Sequence, residues 1–197
     1  MERHDLIRKN RECIYGCCGK AENGKTDPGG QVRRLTIGEI ALARKVFGSY
    51  IDYSRVWIHL GSYLPFGLQN EYVAMTPDGE LYFRGENYQD DFSTASPPLR
   101  HLFIHEMTHV WQYQNGMWVK LRGSMSWAVD YHYNFEGKTR LNEYSMEQQA
   151  SIVADYFFLV NFGESKWYYN PHRNYKGDEL DSVLSYYKLI LTDFPSY

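Results

Sequence analysis

The chain has 197 residues, 43% of them hydrophobic, enough for one compact domain with a buried core and too few for two ordinary ones. Its 21 Lys and Arg against 24 Asp and Glu leave a net charge of -3 with no basic stripe, which argues against nucleic acid or an anionic membrane as the main partner. No apolar run approaches the roughly 20 residues that span a bilayer, and the charged opening MERHDLIRKNRECIYGCCGK lacks the apolar stretch of a signal peptide, so synthesis in the cytoplasm without a classical leader is expected.

Residues 1–34 are polar and end in AENGKTDPGGQVRR, where Gly, Pro, Asn and Asp accumulate, so they read as a flexible arm ahead of one domain over 35–197. Cys13, Cys17 and Cys18 are the only cysteines, an odd number that gives no disulfide framework. They read as free thiols in a reducing compartment, although a second metal site with His4 is conceivable. In LTIGEIALARKVFG, Thr36 as N-cap and Glu39 three residues on form a capping box before an apolar run that Gly48 stops, which predicts a helix. RVWIHL, EYVAMT and ELYFR are short and rich in β-branched and aromatic residues, and PDG between the last two marks a hairpin. ENYQDDFSTASPP is a loop, and Pro97 and Pro98 sit where a helix start accepts proline. A helix from Leu99 to about Asn115 follows, ended by Gly116. Beyond a loop with GSMSW and the tyrosine-rich AVDYHYNF, a helix runs from about Ser145 to Phe162, and ELDSVLSYYKLILTDF carries a last one. One helix, three strands, then helices is an α+β order, a small mixed or antiparallel sheet packed on the central helix. The aromatic content of 17% fits an aromatic-lined groove or a tightly filled core equally well.

The central helix contains HLFIHEMTHVWQYQNG, and within it H-E-x-x-H. Residues i and i+4 share a helix face, so His105 and His109 can bind one ion through ring nitrogens, while Glu106, rotated by about 100°, lies beside the open coordination position as a candidate base. Two hydrogen-bonded core histidines would give the same letters. Leu102, Phe103, Ile104, Met107, Val110 and Trp111 mark the helix as buried, so the polar groups need partners. A catalytic zinc needs a third protein ligand. Glu143 and Glu147 compete, and Glu147 is favoured because Ala150, Ser151 and Ala154 give its helix a small-residue face for close approach. Glu143, near the helix start, reads as a solvated charge.

With that helix and a later helical glutamate, the chain resembles the gluzincin branch of the zincin metallopeptidases. More narrowly, LTIGEIALARKVFGSYIDYSRVWIH, LFIHEMTHVWQYQNG and EQQASIVADYF resemble the metallopeptidase domain attached to some type VI secretion spike proteins of the valine-glycine-repeat family and related free-standing proteins, from about Leu35 to about Phe162. The resemblance implies a zincin-like fold and an antibacterial effector, a toxin active in a target cell's periplasm after contact-dependent secretion. It further implies a peptide, protein or cell-wall peptide substrate, an immunity protein and a secretion-spike component as partners.

For the chemistry, one zinc per chain on His105, His109 and Glu147 would activate water, with Glu106 as proton acceptor and then donor to the leaving amine. One of Tyr131, His132 and Tyr133 could stabilise the oxyanion. Asp155, two turns beyond Glu147, could accept the second ring N–H of a ligand histidine, and His101 is expected at the helix's first turns, outside the coordination sphere. ELYFR is the expected sheet edge for pairing with extended substrate. The same water activation would serve a peptidoglycan amidase or endopeptidase. A non-catalytic binding module with structural zinc belongs to another class, and the presence of Glu106 argues against it.

Overall fold

The computed structural model describes residues 31–64, 67–69, 73–117, 130–177 and 182–196. The three cysteines, most of the expected arm, GSMSW and the first residues of EYVAMT lie outside these. In order come β1 (Gln31–Arg34), α1 (Ile37–Phe47), β2 (Trp57–Leu60), β3 (Leu81–Phe83), α2 (Pro97–Gln114), α3 (Met146–Phe162), the short α4 (Glu164–Tyr168) and α5 (Val183–Ile190). This is a mixed α+β arrangement with one small sheet and several helices. No described helix is long and apolar enough to cross a membrane.

The sheet has the order β1-β2-β3. β1 runs antiparallel to β2, from Gln31 opposite Leu60 to Arg34 opposite Trp57, and β3 runs parallel to β2, from Ile58 opposite Leu81 to Leu60 opposite Phe83. Two sequence expectations shift here. β1 takes in four residues assigned by composition to the arm, because a strand this short shows no readable alternation and is held by a long-range partner. Of the described part of EYVAMT, Val73 to Thr76, only Met75 pairs, bridging Tyr82 antiparallel. The hairpin is thus a single residue pair, closed by a turn at Pro77–Gly79 in which Asp78 and Gly79 both have positive φ, 53° and 79°.

Glu39 fastens the first half of the chain. Its capping box with Thr36 forms as expected, the Thr36 hydroxyl accepting from the Glu39 amide at 3.0 Å and the Glu39 carboxylate accepting from the Thr36 amide at 2.8 Å. The same fully buried carboxylate also receives both terminal nitrogens of Arg33 at 2.8 Å and the Phe92 amide at 2.9 Å. β1, the start of α1 and the turn at Phe92 therefore converge on one charge. Phe92 continues the connection inward, its ring 4.6 Å from Phe83 on β3 and 5.1 Å from Phe103 on α2, all three fully buried.

α3 packs antiparallel on α2, for Glu147 meets His105 and His109 whereas Asp155, two turns on, meets His101. Ala150, Ser151 and Ala154 of the expected small-residue face are fully buried. The carboxyl-terminal segment closes the far end of α2, with Phe194 stacked edge-on against Trp111 at 4.9 Å and Phe47 at 5.8 Å.

Removing one partner of a buried ion pair leaves the other charge or its hydrogen-bonding groups unmet. Glu39→Ala should therefore destabilise the domain by about 3 kcal/mol or more in urea unfolding. A loss below about 1 kcal/mol, the scale of a helix cap alone, would show that the Arg33 and Phe92 contacts add little.

Candidate metal centre

α2 and α3 bring three donor groups together at their crossing. One ligand atom from each of His105, His109 and Glu147 lies within 4.8 Å of the others. Oε2 of Glu147 is 3.3 Å from Nε2 of His105 and 3.0 Å from Nε2 of His109. Both rings are buried, and the two ring centroids are 5.0 Å apart. The helical spacing of the motif accounts for the pair of rings, and the small-residue face of α3 accounts for the carboxylate.

The proton on His109 is placed by a chain of amides. The Gln149 side-chain nitrogen donates to the Tyr144 carbonyl at 2.9 Å, which leaves its oxygen to accept from Gln112 at 3.0 Å. The Gln112 nitrogen also donates to the Met146 carbonyl, at 3.0 Å, so the Gln112 oxygen must face Nδ1 of His109, 2.7 Å away. Nδ1 therefore carries hydrogen, and Nε2 of the neutral ring presents a lone pair to the cluster. That is the tautomer a metal needs. Two ring nitrogens and a carboxylate oxygen are donors of the kinds that catalytic zinc sites use, and the three residues could hold such an ion.

Without an ion the three groups must satisfy one another. Burial opposes charge on His109, but the facing Glu147 carboxylate overrides it and lifts the ring to about 9. Burial likewise opposes charge on Glu147, and the two imidazoles hold its carboxyl well below the usual carboxylate range. Nδ1 of His105 is buried with no hydrogen-bond partner among the described residues.

Glu106 lies close enough to His109 to favour its protonation, and its carboxylate accepts from the Thr76 hydroxyl, which donates to Oε2 at 2.6 Å. Glu143 lies outside the cluster. Its carboxylate accepts the Thr139 and Arg140 amides, both at 2.7 Å, capping the turn before α3. The three residues of YHY separate. The Tyr131 ring lies 6.0 Å from that of His105. His132 pairs with Asp130 at 3.3 Å, its side chain 53% exposed. Tyr133 is buried and donates to Asp155 at 2.7 Å, with Tyr187 beside it. Burial and the neighbouring Asp155 carboxylate push both tyrosine hydroxyls well above their usual range, so they remain donors. Of the three, only Tyr131 is set against a cluster histidine.

Asp155 serves His101, not His105 or His109. It accepts from Nε2 of His101 at 2.8 Å and from the Asn174 amide at 3.1 Å. His101 is thus outside the cluster, as expected, and the ring N–H partner near the ligands is Gln112. Three neighbours escaped the sequence reading: Gln112, whose signal is its place three residues after His109 on the same helix face; Thr76; and His172. The His172 ring stacks on His101 at 5.9 Å, and burial together with the nearby His101 and His105 pulls it down to about 3, so it is neutral near pH 7. The outer sheet edge is also occupied: the Tyr82 amide donates to the Met75 carbonyl at 2.8 Å and its carbonyl accepts from Met75 at 3.1 Å. Tyr82 therefore has no outward backbone group left for an extended substrate.

No protein-family model matches the chain. It is 44% identical, over 142 residues, to the type VI secretion system spike protein VgrG2b of Pseudomonas aeruginosa, a match covering 68% of this chain and 14% of that protein. The solved effector domain of Pseudomonas aeruginosa VgrG2b superposes with a TM-score of 0.59 at 35% identity, over 87% of this chain and 94% of the domain. The chain thus spans a small part of the whole spike protein and nearly all of its effector domain.

The His109 pairing fixes a pH dependence. A folded value of about 9, raised from 6.5, contributes stability to the metal-free protein that is full below pH 6.5 and is lost as pH rises through 9. Zinc competes with that proton for Nε2, so thermal stabilisation by added zinc should grow between about pH 6 and about pH 9. A zinc-induced shift that stays constant over this range would show that the ion binds elsewhere.

Proposed function

The chain belongs to the family of the Pseudomonas aeruginosa VgrG2b effector domain, and from that premise we propose that it is a type VI secretion effector acting as a zinc-dependent peptidase of zincin-like, gluzincin type. One observation carries the chemical half of this reading: two histidines and a glutamate from two helices converge within 4.8 Å, with a second carboxylate, Glu106, one residue away on the same helix. A purely structural site has no use for that extra acid.

His105, His109 and Glu147 would hold the ion, which when bound supplies Lewis acidity toward water and a substrate carbonyl. Gln112 keeps the His109 proton on Nδ1, so that Nε2 stays available. Glu106 accepts the proton of the attacking water and returns it to the leaving amine, the general acid–base role of a carboxylate held in a cleft. Tyr131, beside His105, is the member of YHY that would donate to the developing oxyanion. The buried network of Asp155, His101, Tyr133 and Tyr187 ties α2, α3 and α5 together and so holds the spacing of the ligands.

As an effector, the protein would be carried by a secretion-spike component, act on protein or cell-wall peptides in the target's periplasm, and be restrained in its producer by an immunity protein. The likeness to a spike protein's effector domain supports the delivery route.

Glu106→Gln should retain about one zinc per chain while hydrolysis falls by about 100-fold or more. Glu147→Ala and His105→Ala should lose the metal as well. Zinc content measured alongside cleavage of an unfolded protein and of peptidoglycan fragments separates the alternatives. Cleavage of fragments alone would assign a cell-wall hydrolase, and equal activity of wild type and Glu106→Gln would remove this site from the reaction.

A further inference from the structure

Glu106 can serve as a base only if one carboxylate oxygen is kept free and aimed, and a carboxylate on three rotatable bonds does not do this by itself. Thr76 is built to do it. Both side chains are buried, Thr76 at 2% and Glu106 at 4% exposure. The Thr76 hydroxyl donates to Oε2 at 2.6 Å across thirty positions of sequence, the only hydrogen bond the Glu106 carboxylate receives among the described residues. The buried side-chain atoms without a partner among those residues are His105 Nδ1, Trp167 Nε1 and Asn170 Nδ2. Oε1 of Glu106 has no hydrogen bond among the described residues.

Thr76 has little freedom of its own. On one side Met75 is locked to Tyr82 by the paired backbone bonds of 2.8 and 3.1 Å. On the other, the turn at Pro77–Gly79 presses on the carboxyl-terminal part of α2, where a methyl group added to Gly79 would come within 2.6 Å of the Tyr113 ring. The left-handed φ of Asp78 and Gly79 brings the chain back from that contact to β3. The short hairpin therefore sets the height of the Thr76 hydroxyl relative to α2, using a residue pair too small to pair with substrate.

We propose that Thr76 is the positioning residue for Glu106: its hydroxyl binds Oε2 and thereby leaves Oε1 as the oxygen that takes the proton from water. This rests on the peptidase reading above. It explains why Met75 occupies the outer side of β3, because the bridge that blocks the edge is the same one that places Thr76.

Thr76→Val keeps the shape and removes the hydroxyl, Thr76→Ser keeps the hydroxyl and removes the methyl, and Thr76→Ala removes both. The expected result is a fall in kcat of about 10- to 100-fold for the Val and Ala variants at unchanged KM and zinc content, with the Ser variant close to wild type. Should the Val variant not fold, the Ser and Ala pair makes the same comparison. Crystal structures of the zinc-loaded Val and wild-type proteins give a readout independent of turnover: the Glu106 carboxylate should rotate or split between orientations only without the hydroxyl. Wild-type kcat in the Val variant, equal losses in Ser and Ala, or an unmoved carboxylate would each overturn the proposal. Absence of hydrolysis in the wild type with the carboxylate rotating in the Val variant would instead reject the peptidase reading and leave the positioning contact standing.

Discussion

One carboxylate oxygen, Oε2 of Glu147, faces two buried imidazole nitrogens across the contact of α2 and α3, and this triangle constrains what surrounds it. Two imidazoles withdrawn from water beside a half-buried carboxylate are costly unless each finds a partner. In the absence of an ion they form a charged pair in which a proton stands on His109, while Nδ1 of His105 has no partner among the described residues. An ion would accept all three lone pairs at once. The surroundings are consistent with that use, because the amide chain from Tyr144 through Gln149 and Gln112 directs the one fixed proton of His109 away from the cluster.

Ala150, Ser151 and Ala154, the small residues that follow Glu147 on α3, are fully buried, and small side chains there leave room for a close approach of the helices. Farther along the same interface Asp155 collects His101, Tyr133 and the Asn174 amide, a network in which every donor has an acceptor. On the opposite side of α2, Glu39 and Phe92 fix the sheet and its turn, and the sheet in turn carries Met75 and Thr76 to Glu106. The acid next to the cluster is thus oriented from the sheet side and the cluster itself from the helix side.

The parts legible in the sequence are those with local causes. Thr36 and Glu39 at the start of α1 and Gly48 at its end mark that helix through contacts within a turn, and all of them are observed. The spacing of His105 and His109 needs only the helical period, and the small residues after Glu147 distinguish it from Glu143, whose carboxylate caps a turn. Where the reading missed, the cause is a distant partner. β1 exists because β2 is beside it. Asp155 shares a helix face with residues that could reach any of three histidines one turn apart, and periodicity cannot choose among them. Tyr133 stands in a tyrosine-rich segment whose letters do not tell which hydroxyl is buried. Thr76 and Gln112 are ordinary residues whose roles arise only from what folding sets opposite them.

The central claim is that His105, His109 and Glu147 are the protein's zinc ligands. Zinc K-edge X-ray absorption on the purified chain tests it directly, because light and heavy donor atoms scatter differently. The account predicts one zinc per chain with nitrogen and oxygen neighbours at about 2.0 to 2.1 Å. Sulfur neighbours at about 2.3 Å would contradict it, since they would assign the metal to Cys13, Cys17 and Cys18 and leave the triangle of α2 and α3 as an ion pair.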